Sequence, residues 1–379
     1  MNLAATVFSL LTFLAVLYQL AALLALRCFC RRSLPRPAAA LPGLTLLKPL
    51  RGVEAETRAC LASFLRQEYP RCQILFGVAA ADDPVWSVVQ DLQAEFPAVD
   101  CRILLCPQNL GLNPKVSTLR QLLPHAKYDL LVISDSDVSA PPGLLTHLAA
   151  AFQEPRLGLT SCLYRADGTA SVGGILEALT ISADFIPAVA VAHYLEGVSF
   201  ALGAVMAVRR EALEQTDSLA AIADYLADDY QLGHRLHQAG WQVTILPLVV
   251  ATGPAHTTVK DYLARQLRWA RTYRVCRPRG FLGYGITLAL TWSLVAWGLG
   301  GLSWWGAGLV GLSAATRLVV AWQADGLLRS QRLPWYFFGL LPLKDLLASA
   351  LWLLSFVGNE VRWQERRYRV NPDGRLEKI

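Results

Sequence analysis

Charged side chains are scarce in this sequence of 379 residues. They make up 17% of the residues, whereas apolar residues make up 54%. A soluble globular protein usually has a charged share of about a quarter. The composition therefore excludes an ordinary soluble enzyme and predicts one sizeable catalytic domain joined to segments within a membrane.

Paired cysteine motifs are also missing. The eight cysteines are scattered without CxxC spacing, which argues against a zinc site and against a disulfide framework. Cys162 and Ser134 have no convincing base partner in the sequence, so nucleophilic acyl chemistry is not expected. No nucleic-acid-binding motif accompanies the net charge of +6, so nucleic acid is not an expected partner.

Long uncharged runs are present instead. The run Leu3–Leu26 carries no charge and exceeds the roughly 20 residues that a helix needs to cross a bilayer. Basic residues follow it between Arg27 and Arg36, and such residues remain in the cytoplasm. We interpret residues 1–27 as an uncleaved N-terminal anchor, residues 28–42 as a stiff linker, and the next domain as cytoplasmic. The expected location is a bacterial inner membrane.

A second apolar region, residues 281–358, predicts two or three further membrane helices. Phe281–Trp322 contains Arg317 as its only charge and is long enough for two helices. Trp335–Val357 is a third candidate, and its adjacent Lys344 and Asp345 indicate either paired charges within the membrane or a helix in the interface. Three crossings would place the basic tail, residues 359–379, outside, although its arginines favour the cytoplasm. Either the third segment is re-entrant or the charge rule fails here.

Residues 43–256 alternate short β-rich runs with helical patterns, which is typical of a parallel sheet with crossover helices. The fold class is therefore α/β. The predicted strands are Leu44–Pro49, Gln73–Val78, Cys101–Cys106 and Asp129–Ser134. The predicted helices lie near Glu54–Gln67, Pro84–Glu95 and Pro114–Leu123. Ligands of such sheets bind at the carboxyl ends of the strands, so Lys48, Asp82, Asp83, Asp135 and Asp137 should converge there.

Ser134-Asp135-Ser136-Asp137 follows the apolar run Leu130–Ile133 and places two carboxylates on one turn. Such carboxylates can share a divalent ion with phosphate oxygens of a nucleotide diphosphate. The competing interpretation is an Asp-rich turn that caps the next helix. Helix capping also competes at Asp83, before Pro84, where the functional alternative is a nucleotide contact.

Asp228-Asp229-Tyr230 opens a predicted helix that stops near Gly240. A carboxylate at this position either caps the helix or accepts a proton from an attacking hydroxyl group. Residues 257–280 form a predicted amphipathic helix with a recurrent basic face. Its position beside the membrane favours contact with lipid headgroups or a substrate diphosphate over a merely solvated face. Its arginines are Arg265, Arg268, Arg271, Arg274 and Arg277, with Trp269 among them.

In order, these features resemble the D, D, D, (Q/R)xxRW series of family-2-like glycosyltransferases. In detail they resemble the ceramide glucosyltransferase family, family 21, and most of all its bacterial branch associated with hopanoid lipids. The resemblance covers nearly the whole chain. The motifs that carry it are Leu47-Lys48-Pro49-Leu50-Arg51-Gly52, Asp82-Asp83-Pro84, Gly111-Leu112-Asn113-Pro114-Lys115, Ala227-Asp228-Asp229-Tyr230 and Arg265-Gln266-Leu267-Arg268-Trp269.

The resemblance implies a GT-A nucleotide-sugar-binding, Rossmann-like domain and a UDP-sugar donor. Asp229 would be the catalytic base, and Asp135 and Asp137 would hold Mg²⁺ or Mn²⁺. The implied donor-binding residues are Lys48, Asp83, Lys115, Asp135, Arg265, Arg268 and Trp269. Eukaryotic ceramide enzymes often have Gly where Asp137 stands, a departure that leaves the acceptor open.

The predicted function is therefore inverting transfer of glucose or N-acetylglucosamine from a UDP-sugar to the hydroxyl group of a membrane lipid, either ceramide or a hopanoid polyol. A processive polysaccharide synthase is an alternative, but it would need a longer membrane channel. A non-catalytic lipid-binding protein on the same scaffold is another, and it would tolerate loss of Asp229.

Overall fold

The computed structural model describes residues 2–37, 40–253, 257–363 and 366–379. The predicted linker, residues 28–42, and the predicted domain boundary at residue 256 fall partly outside these residues. The predicted alternation of strands and helices is confirmed, and each predicted strand agrees with an observed one within a residue or two.

The α/β domain is built on a mixed sheet of seven strands within the described residues, in the order β3-β2-β1-β4-β6-β5-β7. Strand β6 runs antiparallel to its neighbours β4 and β5. Side chains on both faces of the central strands are buried, because helices cover both faces. The strands are β1 (Leu44–Leu50), β2 (Cys72–Val78), β3 (Asp100–Leu105), β4 (Leu130–Ser134), β5 (Leu157–Ala166), β6 (Val205–Arg209) and β7 (Gln242–Thr252).

Helices around this sheet include the three that the sequence predicted. Asn113 caps one of them, α4, through its side chain, and Pro114 occupies the first helical position. The helices are α2 (Thr57–Leu65), α3 (Val85–Glu95), α4 (Pro114–Leu122), α5 (Leu144–Ala151), α8 (Arg210–Gln215), α9 (Ser218–Ala221) and α10 (Asp228–Gln238).

Several helices are long and apolar enough to cross a membrane: four in the described part of the chain, or five if a pair bent by 51° is one span. One of them lies within residues 43–256 and was not predicted, because Glu177 and Asp184 interrupt its apolar pattern. The elements are α1 (Leu3–Cys30), α6 (Val172–Thr180) continuing through a π turn (Ile181–Phe185) into α7 (Ile186–Glu196), the bent pair α12 (Pro278–Ile286) and α13 (Ala289–Leu299), α14 (Trp304–Leu328), and a 3-10 turn (Trp335–Leu340) leading into α15 (Leu341–Leu354). Helix α11 (Val259–Cys276) directly precedes α12 in the chain.

The α15 segment is bound to neighbouring elements at both ends. At its start, the Leu333 amide donates to Asp325 near the end of α14 (2.9 Å), and Arg329, which follows α14, donates to the carbonyl of Ala166 in β5. At its end, Arg271 of α11 donates to the Val357 carbonyl (2.8 Å). Its start is therefore connected to the sheet through Arg329, and its end to α11.

The charges within the apolar helices are paired with one another, as the first of the two alternatives for Lys344 and Asp345 predicted. Arg317 lies 3.0 Å from Asp345, and Lys344 lies 2.7 Å from the same carboxylate. Both cations also contact Asp184 of the π turn. Two cations and two anions thereby neutralise each other where water is excluded, and join α14 and α15 to the α6–α7 unit.

The segment predicted only as a basic tail forms a small antiparallel sheet of β8 (Glu360–Trp363), β9 (Arg366–Val370) and β10 (Leu376–Lys378). Its inward face buries Val361, Tyr368 and Val370 against Leu226. The Leu376 amide donates to the Asp224 carbonyl (2.7 Å). The tail therefore lies on the same side of the apolar helices as the catalytic domain.

Candidate active site

Lys48 anchors the turn at the carboxyl end of β4. It is fully buried in β1, and its Nζ donates to Ser134 Oγ (3.0 Å) and to the Asp135 carbonyl (2.6 Å). Its ammonium also lies 4.1 Å from the centre of the Phe64 ring. Burial lowers the pKa of Lys48 to about 8 despite the nearby Asp137 carboxylate. Lys48 therefore holds the Ser134–Asp135 turn in place from its buried side, through hydrogen bonds to the Ser134 hydroxyl and the Asp135 backbone carbonyl.

Lys115 joins two of the predicted acidic motifs. From the start of α4, its Nζ lies 2.7 Å from Asp135 and 3.1 Å from Asp228. Burial would lower the pKa of Lys115, but these two carboxylates outweigh burial and raise it. The Asp135 carboxyl has a raised pKa because burial outweighs the attraction of Lys115. A cation is thus held between the DxD turn and the α10 start.

Asp229 is the residue after Asp228, at the N-terminal end of α10. Its Oδ1 accepts from the Tyr230 amide (2.7 Å). Burial, and then the adjacent Asp228 carboxylate, raise the pKa of Asp229 to about 6. Gly203 lies against it, since a Cβ there would meet Asp229 Oδ2 at 2.9 Å. Asp229 is therefore a carboxylate that can accept a proton near neutral pH.

Helices α6 and α11 and the π turn contribute the remaining predicted site residues. Arg265 pairs with Glu177, whose side chain is 5% exposed. Burial and the neighbouring Arg265 lower the pKa of Arg268 to about 10. The Trp269 ring packs 6.3 Å from that of Phe185, which in turn packs against Tyr164. The RxxRW motif therefore presents its cations on the face of α11 that adjoins the sheet.

Tyr164 of β5 lies among the acidic groups. Burial, followed by the charges of Asp229 and Glu177, raises its pKa well above the ordinary value, and Asp135 and Asp137 add to the effect. The same set of charges thus reaches one phenol from β4, α6 and α10. Asp135, Asp137, Asp229 and Glu177, the partner of Arg265, are therefore all near the Tyr164 side chain.

Asp83 lies at a different part of the sheet edge, after β2. Both of its carboxylate oxygens accept from the Gly52 amide (3.0 Å each), and Oδ1 also accepts from the Val85 amide (3.0 Å). Gly52 has φ +65°, which a glycine adopts without strain. Asp83 therefore joins the Arg51–Gly52 turn to the first residue of α3, Val85.

The DxD carboxylates fit a divalent ion that is shared with a substrate. Asp135 and Asp137 supply the oxygen ligands that Mg²⁺ and Mn²⁺ prefer. Among the described residues, no group of three or more His, Cys, Asp or Glu side chains could hold an ion by itself. The donor set suits an ion that takes one or two carboxylates and completes its shell with phosphate oxygens and water.

Four site residues escaped the sequence analysis: Tyr164, Glu177, Gly203 and Asp228 in its pairing with Lys115. Tyr164 and Gly203 lie in runs whose composition resembles any buried strand. A charge inside an apolar run was the available signal for Glu177. The adjacent Asp228-Asp229 pair was noticed, but its partner lies more than a hundred residues earlier in the chain.

The sequence matches the profile of glycosyl transferase family 21 over residues 7–376. The chain belongs to glycosyl transferase family 21. This confirms the family resemblance drawn from the motifs. Among curated relatives of this family 21 protein, ceramide glucosyltransferase 3 of Caenorhabditis elegans is 23% identical over 61% of this chain and 50% of that one. Ceramide glucosyltransferase of Candida albicans is 38% identical over 27% of this chain and 21% of that one. The chain thus spans half or less of the length of these relatives.

Among solved structures, this family 21 protein resembles the mannosyltransferase PcManGT from Pyrobaculum calidifontis, solved in complex with GDP-Man and Mn²⁺. The TM-score is 0.56 at 17% identity, and the alignment covers 94% of this chain and 99% of that one. At this identity the likeness establishes the fold alone. The two proteins share a mixed α/β sheet with associated helices.

Proposed function

We propose that this family 21 protein transfers glucose or N-acetylglucosamine from a UDP-sugar to the hydroxyl group of a membrane lipid, either ceramide or a hopanoid polyol. The observation that carries the proposal is the placement of Asp229. Its carboxylate, with a pKa of about 6, lies next to the Lys115–Asp228 ion pair, and its charge reaches the same Tyr164 side chain as that of Glu177, the partner of Arg265. The names of the curated relatives support a ceramide-like acceptor.

In this proposal the displacement inverts the anomeric centre. The acceptor oxygen forms a bond to the anomeric carbon, the bond from that carbon to the diphosphate oxygen breaks, and Asp229 takes the hydroxyl proton. UDP leaves with the bonding electrons. One base suffices because UDP is already a good leaving group, unlike the alcohol of a glycoside.

The remaining residues bind and orient the donor. Lys115, Arg265 and Arg268 would neutralise the diphosphate, Trp269 would shape the acceptor entrance, and Asp83 would contact the uridine part. Lys48 holds the turn that carries Asp135 and Asp137. A divalent ion bound there would neutralise negative charge on the diphosphate. The Mn²⁺ in the complex of the similarly folded mannosyltransferase supports a divalent ion at this position.

We also propose that the protein is an integral membrane protein whose catalytic domain faces the cytoplasm, as the arginines after α1 favour. The bent pair of α12 and α13 would cross the membrane away from the cytoplasm, and α14 would cross back. The segment around α15 would be re-entrant, because the chain just before it contacts β5 through Arg329 and the tail that follows it bonds to Asp224 through Leu376. In oriented vesicles, an epitope after Ile379 should then be accessible on the catalytic side and one at Gly301 on the other. An epitope at Gly301 that is accessible on the catalytic side, or an epitope after Ile379 that is accessible on the opposite side, would contradict this topology.

The reaction is tested with purified full-length protein in detergent with Mg²⁺ or Mn²⁺. UDP-glucose and UDP-N-acetylglucosamine are each offered with ceramide and with a hopanoid polyol, and products are identified by mass spectrometry. Asp229→Asn should bind UDP normally and lose product formation about 10²- to 10⁴-fold, the usual contribution of a general base. Asp91→Asn, at an exposed position of α3, should match the wild type. Equal turnover by Asp229→Asn and wild type would sink the proposal.

A further inference from the structure

The two faces of helix α11 have different surroundings. Arg265, Arg268 and Trp269 adjoin Glu177 and the π turn. Arg271 and Arg274 instead face the chain that follows α15. Arg271 donates to the carbonyls of Val357 and Glu360, and Arg274 donates to Asn359. This second face lies outside the candidate active site.

A wide pocket of about 730 Å³ opens between this face of α11 and the tail sheet. It is large enough for a lipid headgroup. Its lining consists of Arg271, Arg274, Phe356, Gly358, Asn359, Glu360 and Arg369. Arginines from a helix and from strand β9 therefore meet in one concavity.

The charge of the pocket is predominantly positive. Its described lining contains three arginines and one carboxylate, that of Glu360. Glu360 lies opposite Arg369 in the sheet, and Glu377 lies opposite Arg369 on the other side. Burial and then Arg274 lower the pKa of Arg271, while Glu360 acts in the opposite direction. Within the described residues, neither Arg271 nor Arg274 forms an ion pair with a carboxylate.

Two guanidinium groups in the pocket keep buried donors without partners. The Nε atoms of Arg271 and Arg274 are both buried, and neither has a hydrogen-bond acceptor in the described part of the chain. A buried donor without an acceptor is unfavourable. An anion with several oxygens, bound by the two guanidinium groups, would neutralise their charge, as a phosphate group does for clustered arginines.

Exposed apolar side chains adjoin the pocket and indicate what would carry the phosphate. Phe356, which lines the pocket, and the next residue Val357 are 42% and 70% exposed, and Leu353 and Leu354 of the preceding turn are also exposed. These side chains lie at the end of a helix that is apolar enough for a membrane. A ligand that combines a phosphate with hydrocarbon chains would contact both surfaces.

We propose that this pocket binds the phosphate group of an anionic membrane lipid. The bound lipid bridges α11 and the tail sheet and stabilises their contact. The site is separate from the donor site, so its occupancy is measurable without any transferase activity.

Binding is measured by native mass spectrometry on full-length protein in neutral detergent, titrated with phosphatidylglycerol, phosphatidylcholine or inorganic phosphate. The wild type should bind phosphatidylglycerol at least about 10-fold more tightly than phosphatidylcholine, whose headgroup has no net charge. Thermal unfolding of the same samples should shift upward with phosphatidylglycerol alone. Equal binding of both lipids would overturn the proposal.

Arg369→Gln is the main variant, because Arg369 is exposed on the tail sheet and its replacement leaves the core intact. It should weaken phosphatidylglycerol binding about 10-fold, the loss of one charge-assisted hydrogen bond of about 1.4 kcal/mol. Arg369→Lys should restore most of the binding. Arg362→Gln is the matched control, since Arg362 is an exposed tail arginine outside the pocket lining. Equal affinity in the Arg369→Gln and Arg362→Gln variants would contradict the site, and saturation by inorganic phosphate at the lipid's own affinity would assign it to a soluble phosphate instead.

Discussion

The Lys115 ammonium lies 2.7 Å from the Asp135 carboxylate and, on its other side, 3.1 Å from that of Asp228. One cation therefore compensates acidic groups contributed by two separate motifs. Because Asp229 follows Asp228 directly, the position of the proposed base depends on an ion pair that forms only in the folded protein.

Replacing Lys115 with methionine should destabilise the protein and impair donor binding. The buried Asp228 and the partly exposed Asp135 would lose the cation that they share, and the expected loss is about 3 kcal/mol in the free energy of unfolding. Lys127→Met is the control, because Lys127 pairs with Asp100 at an exposed position and should cost under about 1 kcal/mol. Chemical denaturation measures both variants. Similar losses in the two would contradict the role assigned to Lys115.

The pH dependence of kcat/KM should report the Asp229 carboxylate. A base must be deprotonated, so the rate should fall as the pH drops through the raised pKa of about 6. Asp228 raises that pKa, so the Asp228→Asn variant should move the acidic limb to lower pH. Asp91→Asn should leave the limb where it is. A limb that stays fixed in Asp228→Asn would show that another group titrates.

Adding one methyl group at Gly203 should lower kcat while preserving the fold. The new Cβ would meet Asp229 Oδ2 at 2.9 Å, so the carboxylate has to shift. A displacement of about 1 Å near reacting atoms can reduce the rate about 100-fold. Gly283→Ala is the matched control, since a Cβ there meets nothing within 4 Å. The comparison of kcat and melting temperature in the two variants decides the matter: a Gly203→Ala enzyme with unchanged kcat would refute the close contact.

The charge cluster of the apolar helices should be essential for stability. Asp184→Asn leaves Arg317 and Lys344 with Asp345 as their remaining carboxylate in the cluster, and breaking such a network costs about 3–5 kcal/mol. Thermal unfolding in detergent measures the loss, with Asp91→Asn alongside. The paired change of Arg317→Leu with Asp345→Leu should cost less than Asp345→Leu alone, because it leaves fewer uncompensated charges. The opposite order would mean that the charges do not act as a network.

The sequence alone determined the features that depend on residues close to one another in the chain. Alternating apolar patterns located the strands β1 to β4 and the helices between them, and uncharged length located α1 and the C-terminal helices. The five motifs in order identified the family, and the position of the DxD turn after β4 indicated the sheet edge that carries the site.

The tertiary structure alone decided which distant charges meet. Lys115 with Asp228, Glu177 with Arg265, and Asp184 with Lys344 are each separated by long stretches of chain, and a carboxylate that starts a helix has the same local sequence whether it caps or catalyses. The structure shows that Asp83 accepts hydrogen bonds from the Gly52 and Val85 amides and that Asp229 lies against Gly203. The folding of the basic tail into a sheet was also visible only in the structure. Val361, Tyr368 and Val370 are buried against Leu226, which lies far from them in the sequence.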